Sequence, residues 1–82
     1  MRNEEKRLSP RQKTEDILID VSWQAIAHRY FGKSSSWFYH KFNERDVNGN
    51  GVPYKFTDEE LLILKGALCD LSDRIRKAAD TL

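Results

Sequence analysis

"SWQAIAHRYFGKSSSWFYHKFNE", residues 22–44, decides how the rest of this chain is read. Ser22 is a capping type, and Trp23, Ile26, Ala27, Tyr30 and Phe31 follow at spacings that gather them on one helix face. Gly32 ends that helix, because glycine accepts the left-handed conformation that follows a helix terminus. Ser34 or Ser35 caps a second helix, in which Phe38 and Phe42 form an i, i+4 pair pointing to one side. The spacing predicts two short helices, about 22–31 and 34–44, joined by a tight glycine turn.

Such a pair has the parts of a DNA-binding helix-turn-helix. Ala27 is small enough to let the second helix cross closely, and that helix must keep one face in the core and offer the other to a groove. At about 100° per residue, Ser36, His40 and Asn43 lie opposite Phe38 and Phe42, with Trp37, Tyr39 and Lys41 on the flanks. Serine and asparagine can read base edges, and lysine and arginine can hold phosphates. The expected partner is therefore double-stranded DNA, contacted by Lys33, Ser35, Ser36, Tyr39, His40, Lys41, Asn43 and Arg45. Arg2, Lys6, Arg7 and Arg11 could form a basic arm on the backbone or minor groove. The competing reading is structural. Tight helix pairs also occur in all-α proteins with no DNA role, and Trp37 and Tyr39 would then be rim residues of a small core.

Downstream, "FTDEE" (56–60) opens the clearest helix, about 57–80. Thr57 and Glu60 match the S/T-x-x-E capping box, and Phe56 with Leu61 suits a hydrophobic staple. Leu61, Leu64, Leu68, Leu71, Ile75, Ala78 and Leu82 then recur at spacings of three and four, a heptad stripe. At 1.5 Å per residue the segment would span ~39 Å, more than a small core needs. Its first half, widened by Leu62, Ile63 and Ala67, is expected to pack inside the domain. Leu71, Ile75, Ala78 and Leu82 are the expected homodimer interface. Cys69, with apolar neighbours, reads as inert packing.

Upstream, Ser9-Pro10 supplies a cap and a proline at the first helical position, and Thr14, Ile17, Leu18 and Val21 make one stripe. A helix at about 10–19 follows, preceded by an irregular arm over 1–8. The expected fold is all-α: a four-helix, helix-turn-helix-like domain over 9–82 with a long C-terminal helix.

"DVNGNG" (46–51) resembles the first half of a calcium loop, with Asp46, Asn48, Asn50 and Gly51 at its first, third, fifth and sixth positions. The twelfth position needs a bidentate glutamate, and Thr57 stands there instead. Asn and Gly are also turn formers, so the stretch reads as a connector. His28 and His40 lie twelve apart with no ligand set beside them, and neither a metal nor another cofactor is expected. No nucleophile–base set or phosphate-cradling glycine loop is evident, so no enzyme is expected.

The 82 residues are 39% hydrophobic and 33% charged, a globular balance for one small domain. Net charge is +1, divided unevenly: residues 1–42 hold eight Lys/Arg against five Asp/Glu, and residues 43–82 hold six against eight. A single cysteine excludes an intramolecular disulfide and suits a reducing compartment. No apolar run approaches the ~18 residues of a membrane span, and a cytoplasmic location is expected.

Across "SWQAIAHRYFGKSSSWFYHKFN…DVNGNGVPYKFTDEELLILKGAL" the chain resembles a family of small bacterial proteins catalogued as a domain of unknown function. Their pattern runs roughly IA-x-x-YFGKS-x-SW, then N-G, VNGK and FT-x-E-E, matching about residues 20–75. More distantly it is similar to the repressor-type helix-turn-helix of phage repressors. The resemblance implies a helix-turn-helix-like fold, with Gly32, Lys33, Ser34 and Trp37 at the turn and the start of the recognition helix. Glu44 stands where the family tends to have glycine after Asn43, and Gly-Asn-Gly at 49–51 replaces the usual Gly-Lys. Phe31 precedes Gly32 where the repressor pattern has leucine. Two functions follow as expectations: a DNA-binding regulator of transcription or of a mobile element, or a protein-interaction (dimerisation) module that binds no DNA.

Overall fold

The computed structural model describes residues 8–46, 49, 51 and 53–82. Four helices run in order: α1 (Pro10–Lys13), α2 (Trp23–Ile26), α3 (Ser35–Phe42) and α4 (Asp58–Asp80). A 3₁₀ turn, Glu15–Ile17, follows α1, and α2 continues as a wider π-wound turn over Ala27–Phe31. No strand occurs among the described residues.

The helix starts follow the capping residues. Ser9, Ser22, Ser34 and Thr57 are extended N-caps whose hydroxyls accept N–H bonds from Gln12, Ala25, Trp37 and Glu60. Between two candidate caps for α3, Ser34 is the one used. Ser9 and Thr57 both form capping boxes, the second returned by Glu60 as expected and the first by Gln12.

The expected helix over 10–19 is shorter and broken. Thr14 is the reason: its hydroxyl donates to the Pro10 carbonyl at 2.8 Å, and its backbone (φ −106°, ψ 17°) leaves the helical region. A threonine bonding back to the preceding turn competes with the helix ladder. The chain tightens into the 3₁₀ turn, and Ile19 is left 95% exposed.

Two helix ends rest on left-handed residues. Gly32 has φ 65°, and both its N–H and that of Lys33 reach the Ala27 carbonyl. After α3 the Glu44 N–H bonds the Lys41 carbonyl and the Arg45 N–H bonds the His40 carbonyl, the paired bonds of a Schellman motif. Glu44 occupies its left-handed position with φ 55°. This is the position at which the family resemblance puts glycine. A non-glycine residue there costs roughly 1–2 kcal/mol, against ~0.5–1 for the greater entropy lost by glycine. Glu44→Gly is therefore expected to stabilise the fold by about 0.5–1 kcal/mol, read as a higher denaturant midpoint. An unchanged or lower midpoint would count against strain at this turn.

The core is aromatic. Both tryptophans and all four phenylalanines meet in it: Phe38 has ring centroids of Trp23, Phe31, Phe42 and Phe56 within 6.0 Å, and Trp37 lies against Phe31 and Phe56. Ile26, Ala27, Leu64 and Ala67 complete the buried set. Trp23 buries an indole N–H, which donates to the Leu18 carbonyl at 2.9 Å.

α4 contributes a narrower stripe to this core than the heptad reading implied. Leu64 and Ala67 are buried, Leu68 and Leu71 are half-buried against the cluster, and Leu62 and Ile63 stand 68% and 43% exposed. Cys69 is also exposed, not packed. So few elements precede α4 that they cover one side of it only. Phe56 is buried as a staple residue should be, while Leu61, 38% exposed, borders an apolar groove of about 360 Å³ beside α1. Beyond Leu71, Ile75 and Leu82 are exposed, 59% and 106%, as is Ala78.

Candidate nucleic-acid interface

α3 is positioned from its inner face. Phe38 and Phe42 are 0% and 1% exposed, which fixes the rotation of the helix against α2 and the π-wound turn that continues it. Of the residues expected on its outer side, Ser36 and Tyr39 are exposed and His40 and Asn43 are half-exposed. Ser35 is half-exposed on the margin. Lys33 and Arg45 are exposed, one in the turn before α3 and one just after its end. These side chains form one polar surface, bounded by a cation at each end.

Lys41 does not belong to it. Its side chain is 9% exposed, and its ammonium lies 2.7 Å from the Glu60 carboxylate. The same ammonium stands 5.0 Å from the Trp37 ring centroid and 4.8 Å from that of Tyr54. A cation so enclosed and paired is committed inside the fold, and the expectation that Lys41 contacts phosphate is corrected accordingly. On the helical wheel Lys41 lies about 60° from Phe38, at the margin of the inner face. That angle, with a glutamate at the third position of the next helix, was the available signal.

Glu60 carries two duties. One carboxylate oxygen accepts from Lys41 and also from the Thr57 N–H at 2.9 Å, so the capping box and the tie to α3 share an atom. Partial burial pushes its pKa up, but the bonds from Lys41 and Thr57 and the Lys41 charge outweigh this and hold it below the ordinary carboxylate value. Lys33, by contrast, is exposed, with its ammonium 5.6 Å from the Trp37 ring centroid.

The connector between α3 and α4 is closed at its base by the Tyr54 N–H, which donates to the Arg45 carbonyl at 2.8 Å. Asp46 accepts from the Gly51 N–H at 2.5 Å, a side-chain-to-backbone closure of the turn type. Asn48 and Asn50, the other residues of the calcium-like pattern, lie outside the described residues, as do Arg2, Lys6 and Arg7 of the expected arm. Arg11 is exposed on α1. Among the described residues no group of three or more His, Cys, Asp or Glu is placed to hold a metal ion.

Sequence reasoning read the inner face of α2 and not its outer one. Gln24, His28 and Arg29 are exposed along its outer side. Tyr30, at its end, donates a hydrogen bond to Asp70 that raises the phenol pKa, while Arg74 lies 3.6 Å from the same carboxylate. These contacts tie the second helix to α4.

A family match spans residues 10–82, from the first residue of α1 to the end of the chain. The chain belongs to DUF5053, a domain of unknown function. No curated protein and no solved structure matches it. Membership of DUF5053 agrees with the resemblance read from "YFGKSSSW" and "FTDEE", and extends it to both ends of the helical region. Among the described residues, no DUF5053 helix is long and apolar enough to cross a membrane.

Proposed function

We propose that this chain binds double-stranded DNA, with α2, its glycine turn and α3 acting as a helix-turn-helix and α3 entering the major groove. One observation carries the reading: α3 buries its aromatic face completely and leaves Ser36, Tyr39, His40 and Asn43 on the other side, between exposed Lys33 and Arg45. Those side chains are of the types that read base edges, and the cations are of the type that neutralises phosphate. With Lys41 committed to Glu60, electrostatic affinity rests on Lys33, Arg45, Arg11 and the basic residues before Leu8. The role that fits such a protein is regulation of transcription or of a mobile element, in the cytoplasm.

The test is duplex binding at varied salt, after selection of bound sequences from a random pool. Affinity should fall steeply as salt rises, and Lys33→Ala or Arg45→Ala should each reduce the salt slope by about one. Asn43→Ala should instead relax base preference while sparing that slope. Absence of any salt-sensitive binding at micromolar protein would overturn the proposal. It would favour the second reading, a protein-interaction module, which draws its support from the exposure of Leu62 and Ile63 on α4.

A further inference from the structure

The last third of α4 leaves its apolar stripe uncovered in the single chain. Ile75 is 59% and Leu82 106% exposed, and Ala78 is exposed between them. Beside this stripe runs an apolar groove of about 280 Å³, walled by Ile17 and Val21 on one side and Leu68, Leu71 and Ile75 on the other. The groove wall belongs to the segment "EDILIDV" (15–21), which carries three carboxylates and no cation. The projecting end of α4 begins "RIRK" (74–77), with three cations. The two features are complementary in charge and in polarity.

We infer that α4 pairs with α4 of a second copy of this chain in antiparallel orientation, each end seated in the other's groove. Centring the pair between residues 76 and 77 sets Ile75 against Ala78 of the second copy, and Leu71 against its Leu82. Large then meets small in both inner layers, whereas a parallel pair would stack Ala78 on Ala78 and leave a gap. In the heptad, Asp73 and Asp80 fall on the far side of the helix and Arg74 flanks the seam, while Arg76 and Lys77 stand further out, one on each side of it. Arg76 and Lys77 lie about 7 Å along the axis from the partner's groove wall at 1.5 Å per residue, within reach of long side chains. There they face Glu15, Asp16 and Asp20, all exposed. The remaining charge on that side, Asp70, is already held by Tyr30 and Arg74. Antiparallel crossing also carries the two aromatic cores to opposite ends of the pair, so neither blocks the other.

The strip available, residues 68–82, is about 22 Å long, which places the interface in the class below ~1,200 Å² where association is weak and reversible. The inference does not depend on DNA binding. Sedimentation equilibrium of the full chain from micromolar to about 500 µM should show a monomer–dimer equilibrium in the tens of micromolar. Ile75→Asp should weaken it at least ~10-fold with the far-UV helix signal unchanged, since the residue lies outside the core. Arg76→Glu/Lys77→Glu and Asp16→Lys/Asp20→Lys should each weaken self-association, and mixing the two variants should restore it, because both charge contacts are then opposite in sign. A chain that stays monomeric at 500 µM, a dimer indifferent to Ile75→Asp, or charge variants that do not rescue each other on mixing would each overturn the inference.

Discussion

Replacing Phe38 by alanine is expected to cost the fold about 3–5 kcal/mol. Phe38 is fully buried and touches the rings of Trp23, Phe31, Phe42 and Phe56, which come from α2 and its continuation, from α3 and from the connector before α4. Truncation would empty the centre of that set, and rings fixed by each other cannot all collapse into the space. A domain of this length holds roughly 4–12 kcal/mol in total, so the variant should melt at least ~15 °C lower and be partly unfolded at room temperature. Ile19→Ala is the control: at 95% exposure it should change stability by no more than ~0.5 kcal/mol. Denaturant titration followed by circular dichroism reads both. A loss below 1 kcal/mol for Phe38→Ala would show that the aromatic cluster is not the keystone described.

The second large effect is expected at Glu60. Glu60→Ala removes the return bond of the capping box and strands the Lys41 ammonium, whose side chain is 9% exposed, between two aromatic rings without its counter-ion. Breaking a buried pair from one side costs more than the pair is worth, up to 3–5 kcal/mol when fully buried. Glu60 keeps 23% side-chain exposure, so water recovers part of this and about 2–3 kcal/mol is expected. Lys41→Met should be far milder, because it removes the charge that needs the partner and fills the same apolar channel. A double-mutant cycle separates the two; equal losses would argue against a buried, one-sided dependence. The same contact sets an acid limit. The Glu60 pKa is lowered in the fold, so its contribution is present above the unfolded carboxylate value and is lost as pH falls through the lower folded one. Stability of the native chain should therefore drop on acidification below about pH 4, and Glu60→Gln should flatten that portion of the curve.

These two sites show how far local pattern reaches. The caps at Ser9, Ser22 and Thr57 and the stop at Gly32 were legible because each depends on a hydroxyl or a φ angle within a few residues. Phe38 and Phe42 were legible as the inner face of α3 because 3.6-residue periodicity places them there whatever they touch. The interruption at Thr14 was harder. Its stripe with Ile17, Leu18 and Val21 has helical spacing, and only the hydroxyl bond to Pro10 shows that the turn does not propagate.

Lys41 marks where periodicity runs out. Composition and spacing make it one more cation beside Lys33 and Arg45, and a charge that ends in solvent looks the same in sequence as one that ends on a carboxylate nineteen positions away. α4 makes the same point in reverse. Its apolar residues promised a broad packed face, but burial depends on how much chain there is to cover it, and among the described residues the aromatic core takes Leu64, Ala67, Leu68 and Leu71 from α4. The sequence by itself determined where the helices begin, most of their caps and which way α3 turns, because hydrogen bonds and periodicity act over a few residues. Tertiary structure alone decided which charges remain free to meet a partner and which apolar residues remain uncovered, because both depend on segments that meet only when the chain has folded.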